Sequence, residues 1–454
     1  GLALAMPLLS GLISLVGWTR VHPVTGEKIE LVNLLSPGQI QRMFTEAVDN
    51  FTAFPPLGAV LVTMIGIGVA ERSGLVGAAL KVLVEATPKS LISIVVVFAG
   101  VMSSMAADAG YVVLTPLGAV IFAGMGRHPL AGLCAAFAGT GGGFSANLLL
   151  TSLDPLLSGF TQSAAQLYDP AYAVTPDANY YFMIASVFVV TTSGWWVTDR
   201  IVEPRLGTWD PRSAPAETPT EQAEDKAVQA LSEREKRGLR WALAAVLATA
   251  AALLWLTVPR DAVLRDAEGT LAPFVHSLVT VIMLFFIIPG LVYGWVTGSC
   301  RTSRQFAAML SDTMATMGGY IALAFAAAQF VAYFGWSNMG LLLALSGAEF
   351  LQHLGVGHLP LILLFVPLVA LINLVIGSAS AKWGIMAPVF VPMFMVLGLT
   401  PELTQATYRV GDSITNMITP LNPYFPIILS FAARYDRKLG IGTLVSSMVP
   451  YSLA

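Results

Sequence analysis

Two stretches of this chain read alike: Phe144-Ser-Ala-Asn-Leu-Leu-Leu-Thr-Ser-Leu-Asp-Pro155 and Asp412-Ser-Ile-Thr-Asn-Met-Ile-Thr-Pro-Leu-Asn-Pro423. Ser145 matches Ser413, Thr151 matches Thr419, Leu153 matches Leu421 and Pro155 matches Pro423, with Asp154 opposite Asn422. Upstream, residues 103–116 match residues 375–388, each a small-residue cluster followed by an aromatic (Tyr111, Trp383) and then proline. Apolar helices rich in small residues resemble one another by chance, but two matches that share order and polar character point to an internal repeat. Both copies interrupt apolar sequence. Glycines at 139 and 141–143 precede the first, and Pro420 and Pro423 lie in the second. Each interior glycine costs a helix up to about 1 kcal/mol, and each proline removes a backbone donor. Backbone groups freed inside a bilayer must be satisfied by side chains, water or ligand. A re-entrant hairpin with a polar tip does this, here with Ser145, Asn147 and Thr151 in one copy and Ser413, Thr415, Asn416 and Thr419 in the other. Broken helices at matching places in two copies are the pattern of a secondary transporter, with inversion of the copies expected.

Composition sets the frame for that reading. The chain has 454 residues, 56% hydrophobic and only 11% charged, with a mean hydropathy of +0.72. Soluble domains average about 25% charged residues, so the expected fold class is an all-α polytopic membrane protein. The long unbroken apolar runs do not alternate as barrel strands do. A net charge of -3 without a large basic patch excludes nucleic acid as a partner. Two cysteines, Cys134 and Cys300, cannot build a disulfide framework or a cysteine metal site. The opening run, residues 2–18, reads as a spanning helix rather than a signal peptide. The whole chain, 1–454, reads as a single membrane transport domain. It contains a first repeat at 51–198 (hairpin about 130–157), a charged loop at 199–240 and a second repeat at 314–454 (hairpin about 404–431). The Lys and Arg content of the loop assigns it to the cytoplasmic side.

Ionisable residues at membrane depth are few: Asp108, Asp154, Lys382, Arg409 and Asp412. Each bare charge there costs at least about 2.5–3.5 kcal/mol, so each is kept for pairing, substrate or protons. Arg409 and Asp412 are three apart on one helical face. They form either an internal ion pair or a clamp in which Arg409 meets a substrate carboxylate. Ser380 and Trp383 also share a face, and Trp383 is either packed or a stacking wall for an aromatic ligand. Asn373, in an apolar helix, is either a helix–helix hydrogen bond or a pocket amide. Glu349 and His353, four apart, read as a paired surface site. No HExxH, GxSxG or Walker motif occurs, which argues against an enzyme and against a nucleotide-driven pump.

Residues 143–155, the Ser380/Lys382/Trp383 cluster and residues 408–424 together resemble the p-aminobenzoyl-glutamate transporter (AbgT-type) family, in particular its YdaH-like antimetabolite exporters. The resemblance covers essentially the whole chain. It implies about nine transmembrane helices plus two re-entrant helical hairpins, and a homodimer in the bacterial inner membrane. It also implies movement of p-aminobenzoyl-glutamate, folate-pathway compounds and sulfonamides, driven by a proton or Na+ gradient. The substrate would be a small anionic aromatic molecule. The implied pocket positions are Asp154, Asn373, Ser380, Trp383, Pro401, Arg409, Asp412 and Pro420. Na+, the one cofactor considered, would sit near Asn147 and Asn416. A Na+-coupled dicarboxylate carrier would share the hairpins without needing Trp383, and an ion channel is the rival of another class.

Overall fold

A computed structural model describes the chain except residues 1, 16, 22–27, 86, 106–109, 210–230, 260, 420, 421, 423, 437 and 438, and except the side chains of residues 2, 84 and 85. Asp108, Pro420, Pro423 and the middle of the charged loop therefore lie outside the described residues. The described chain is helical almost throughout, with one small antiparallel strand pair, Thr19–Val21 with Lys28–Glu30.

The principal helices are α1 Leu2–Ser14, α2 Pro55–Arg72, α3 Ile92–Ser103, α4 Thr115–Gly124, α5 Pro129–Gly142, α6 Leu153–Ala165, α7 Tyr180–Val197 and α8 Glu233–Thr257. They continue with α9 Leu278–Thr297, α10 Gly318–Trp336, α11 Met339–His353, α12 His358–Asn373, α13 Ala379–Val396, α14 Pro401–Thr415, α15 Phe425–Ala433 and α16 Ile441–Leu453. Among the described residues, α2, α7 with its helical continuation to Leu206, α8, α9, α10 and α13 are long and apolar enough to cross a membrane. Helix α8 begins at Glu233, earlier than apolarity alone marks, because Ser232 and Glu235 form a reciprocal capping box. Its Leu243, Leu247 and Leu254 are exposed, as lipid-facing residues are.

Four interruptions organise the fold. Helix α3 stops at Ser103, and α4 starts at Thr115 after a π-helical turn, Gly110–Leu114. Helix α12 stops at Asn373 and α13 starts at Ala379. Helix α5 gives way to α6 across residues 143–152, and α14 to α15 across residues 416–424. All four fall in the glycine-, serine- and proline-rich sequence quoted above.

Small residues let the helices of the first half approach closely. A Cβ built on Gly139 of α5 would lie 2.3 Å from the Val97 carbonyl oxygen and 3.0 Å from Gly100 Cα of α3. One built on Gly132 would lie 2.2 Å from the Gly118 carbonyl oxygen of α4. Helix α6 leaves this group and packs on α2, α13 and α14. There a separate core gathers Phe160, Phe365, Trp383, Phe394 and Tyr408. The chain thus carries the polar start of α6 into contact with the second half.

Candidate functional site

Four charged side chains are buried among the described residues: Asp154, Lys382, Arg409 and Asp412. Arg409 and Asp412 share α14 but do not pair with each other. Arg409 Nη2 donates to Asp154 Oδ1 at 2.6 Å, which joins α14 to the start of α6. The other carboxylate oxygen, Asp154 Oδ2, accepts from Thr151 N at 2.6 Å and Thr151 Oγ1 at 3.1 Å. Lys382 Nζ donates to Asp412 Oδ1 at 2.5 Å and to Asn373 Oδ1 at 2.6 Å. Two cations and two anions are thus matched one to one across element boundaries. That matching lets all four sit in a low-dielectric interior. Of the two readings of Arg409 and Asp412, the internal pair does not form, because α6 and α13 each bring another partner.

Asn373 connects the second pair to the end of α14. Its Nδ2 lies 2.8 Å from the Asp412 carbonyl, 2.9 Å from Thr415 Oγ1 and 2.8 Å from Asn416 Oδ1. It therefore acts as a helix–helix hydrogen bond. Trp383 is fully buried. Its ring packs on Tyr408, with centroids 4.3 Å apart, and its Nε1 donates to Thr161 Oγ1 at 3.0 Å. Thr161 is bonded to Gln405, Gln405 to Asn179, and Asn179 to the Glu402 carbonyl. Pro401 occupies the first turn of α14 behind the Thr400 cap, away from the ion pairs in sequence and in role. Glu349 pairs with Arg20 at 3.4 Å, and His353 Nδ1 meets the Glu349 carbonyl at 3.0 Å.

A cavity of about 570 Å³ lies between the two halves. Residues of the first half lining it include Ser104, Tyr111, Phe144, Ser152 and Leu153, and those of the second include Ser378, Ser380, Asn416, Asn422 and Tyr424. Tyr111 and Tyr424 are stacked, with centroids 4.4 Å apart and planes 7° apart. Two helices begin at this wall, α6 after Ser152 and α13 after Ser378. The Ser378 hydroxyl accepts from Ala381 N. Helix N-termini favour negative charge, so the cavity suits an anion although no charged side chain lines it among the described residues. Trp383 does not line it, nor does Asp154. Of the expected pocket residues, Ser380 does.

Arg409 faces elsewhere. It lines a second cavity of about 410 Å³ with Ser145, Ser413 and Met417. Its Nε and Nη1, like Ser145 Oγ, have no hydrogen-bond partner among the described residues. Asn416 lines the first cavity and Met417 the second, so the α14–α15 interruption is part of the wall between them. Of the suggested Na+ ligands, Asn147 holds Ser104 Oγ at 3.0 Å and accepts from Leu149 N at 3.0 Å. Asn416 Nδ2 reaches the Gly141 carbonyl at 3.3 Å. The oxygens near Asn416 belong to the network of Lys382 and do not fit a resident Na+ as well. No group of three or more His, Cys, Asp or Glu side chains able to hold a metal occurs among the described residues.

Sequence reasoning missed Tyr424 and Ser378 as cavity residues and left Lys382 without a partner. Tyr424 follows the proline-rich interruption directly, and an aromatic at that place was the available signal.

The whole chain, residues 1–454, matches the AbgT putative transporter family. It is 36% identical, over 100% of this chain and 87% of the relative, to the p-aminobenzoyl-glutamate transport protein of Escherichia coli. The solved YdaH transporter of Alcanivorax borkumensis superposes with a TM-score of 0.93 at 45% identity, covering 100% of this chain and 94% of that one. Neisseria gonorrhoeae MtrF, described as illuminating a class of antimetabolite efflux pumps, gives 0.92 at 44% identity, covering 100% and 91%. With apolar helices long enough to span a bilayer, interrupted helices and a cavity between its halves, the chain belongs to the AbgT transporter family, as a multi-pass transporter of the bacterial inner membrane and not an enzyme.

Proposed function

We propose that this protein is a secondary active transporter that exports small anionic aromatic molecules of the folate pathway, p-aminobenzoyl-glutamate and sulfonamide antimetabolites among them. One observation carries the reading. The cavity between the halves combines stacked tyrosines, an aromatic-compatible surface, with two helix N-termini and the Ser378 and Ser380 hydroxyls, an anion-compatible end. Its volume falls within the roughly 300–1,000 Å³ of small-molecule sites. The names of the Escherichia coli and Neisseria relatives point to the same chemistry. Arg409 offers a second anion contact on the far side of the α14–α15 interruption. An anionic substrate moving past that interruption exchanges helix N-termini for a guanidinium.

A proton or Na+ gradient drives the flux in this reading, with the Asp154 and Asp412 carboxylates as proton carriers and Asn147 as the Na+ ligand. The working unit is a homodimer, with the charged segment 199–240, helical at both its ends, on the cytoplasmic side; crosslinking and cysteine accessibility test these points. Flux of labelled p-aminobenzoyl-glutamate and of a labelled sulfonamide into proteoliposomes, under separately imposed proton and Na+ gradients, tests the function. Saturable, gradient-driven flux lost in Arg409→Ala is the expected result. Folded protein that moves neither compound under either gradient would sink it.

A further inference from the structure

Lys382 belongs to no substrate-contacting set, yet its ammonium has the surroundings of a bound metal cation. The side chain is fully buried. Nζ lies 2.5 Å from Asp412 Oδ1, 2.6 Å from Asn373 Oδ1, and 5.4 Å from the centroid of the Tyr408 ring. Those partners come from the end of α12 and the C-terminal half of α14, while Lys382 itself is in the first turn of α13. The charge therefore sits where both interruptions of the second half meet. Oxygens at broken-helix ends are where transporters of this kind bind a small cation. Hard cations such as Ca²⁺ take carboxylate and carbonyl oxygens as ligands, and the ammonium is held by one oxygen of each type.

The surroundings also exclude a second cation. Asp412 supplies one negative charge, and the Lys382 ammonium already balances it. Another cation against the same oxygens would lie within a few ångströms of the ammonium, in a medium where like charges repel strongly. In the first half, the positions matching Lys382 and Asp412 are Gly110 and Phe144. The cation and its counter-charge were thus placed together in one half only.

We propose that Lys382 is a tethered cation filling an alkali-cation site formed by Asp412 and Asn373. The intact protein then binds no Na+ at the α12–α13 interruption, and truncating the lysine opens that site to Na+. This does not depend on which organic anion is carried.

The test is the thermal stability of the purified full chain in detergent, with NaCl, KCl and choline chloride at equal ionic strength. It is run on the unsubstituted protein, Lys382→Ala, Lys382→Ser and the double variant Lys382→Ala/Asp412→Asn. Expected is a saturable rise in Tm with Na+ over choline in Lys382→Ala and Lys382→Ser, roughly 5 °C or more, larger than in the unsubstituted protein. Radiolabelled Na+ binding above that of the unsubstituted protein should appear alongside it, and both increments should vanish in the double variant, which carries no buried charge at this place. Equal Tm in the three salts for folded Lys382→Ala overturns the proposal. So does a Na+ effect exceeding that of the unsubstituted protein that survives Asp412→Asn. Failure of both single variants to fold even in Na+ also overturns it, because the proposal requires Na+ to replace the ammonium.

Discussion

Arg409 and Asp154, 255 residues apart in sequence, are joined by a 2.6 Å hydrogen bond between two fully buried side chains. The bond fastens the start of α6, in the first half, to the middle of α14, in the second. Removing one partner strands the other charge, which costs about 3–5 kcal/mol, whereas removing both costs much less. Arg409→Met and Asp154→Asn should therefore each lower thermal stability sharply, and the double variant should recover part of the loss. A double-mutant cycle measures this; simple additivity of the two losses would contradict the pairing.

Trp383 separates packing from ligand stacking. Its indole is enclosed by Tyr408 and bonded to Thr161. Trp383→Phe keeps a ring in place and should cost about 1 kcal/mol for the lost hydrogen bond, with KM for the aromatic substrate little changed. Trp383→Ala should cost about 3–5 kcal/mol. A KM that rises selectively for aromatic substrates in Trp383→Phe, at unchanged stability, would restore the indole as a stacking wall.

Tyr424 and Tyr111 are the aromatic pair that does line the cavity. Aromatic contacts of this kind contribute about 0.5–1.5 kcal/mol, so Tyr424→Leu should weaken binding of an aromatic anion up to roughly tenfold. Binding of an aliphatic dicarboxylate should be unaffected. Competition binding with the two ligand types reads the difference directly, and equal weakening of both would count against stacking.

Gly139 tests the close approach of α5 to α3. A methyl group there meets the Val97 carbonyl oxygen at 2.3 Å, which helix backbone cannot relieve cheaply. Gly139→Ala should destabilise by about 1–3 kcal/mol. Gly124→Ala, at a position with open space around it, should be neutral or slightly stabilising. Thermal melts of the two variants side by side give the comparison.

His128 caps α5, accepting a hydrogen bond from Leu130 N at 3.3 Å through Nδ1. Partial burial, opposed by Glu203 and Asp436, holds its pKa below the usual 6.5. The unfolded chain therefore takes up this proton at a higher pH than the folded protein does. Stability is lost as pH falls from near 6.5 toward the lower folded value, and no further loss from this group follows below it. His128→Asn preserves a capping acceptor without the titration. Its Tm should fall less than that of the unsubstituted protein between about pH 7 and pH 5; an identical slope would remove His128 from the account.

The amino-acid sequence by itself determined the class of fold and the places where helices break. Apolar runs are satisfied in a bilayer as helices, and the breaks at 143–152 and 374–378 fall at glycine- and serine-rich clusters, although residues 139–142 still end α5 and 379–384 begin α13. It also marked Asp154, Lys382, Arg409 and Asp412 as charges needing a reason to be buried, because the cost of burial does not depend on what the partner is. The partners themselves were decided by the tertiary structure. Arg409 and Asp412 are one helical turn apart, which favours a local pair, but α6 and α13 deliver Asp154 and Lys382 from elsewhere and split it. Trp383 reads equally as packing or pocket in sequence, since an indole serves both. Only the path of α13 against α6 and α14 turned its ring onto Tyr408 and left the cavity to Tyr111 and Tyr424. Side-chain type is set by the sequence, but which wall a side chain joins depends on contacts across hundreds of residues that no local pattern encodes.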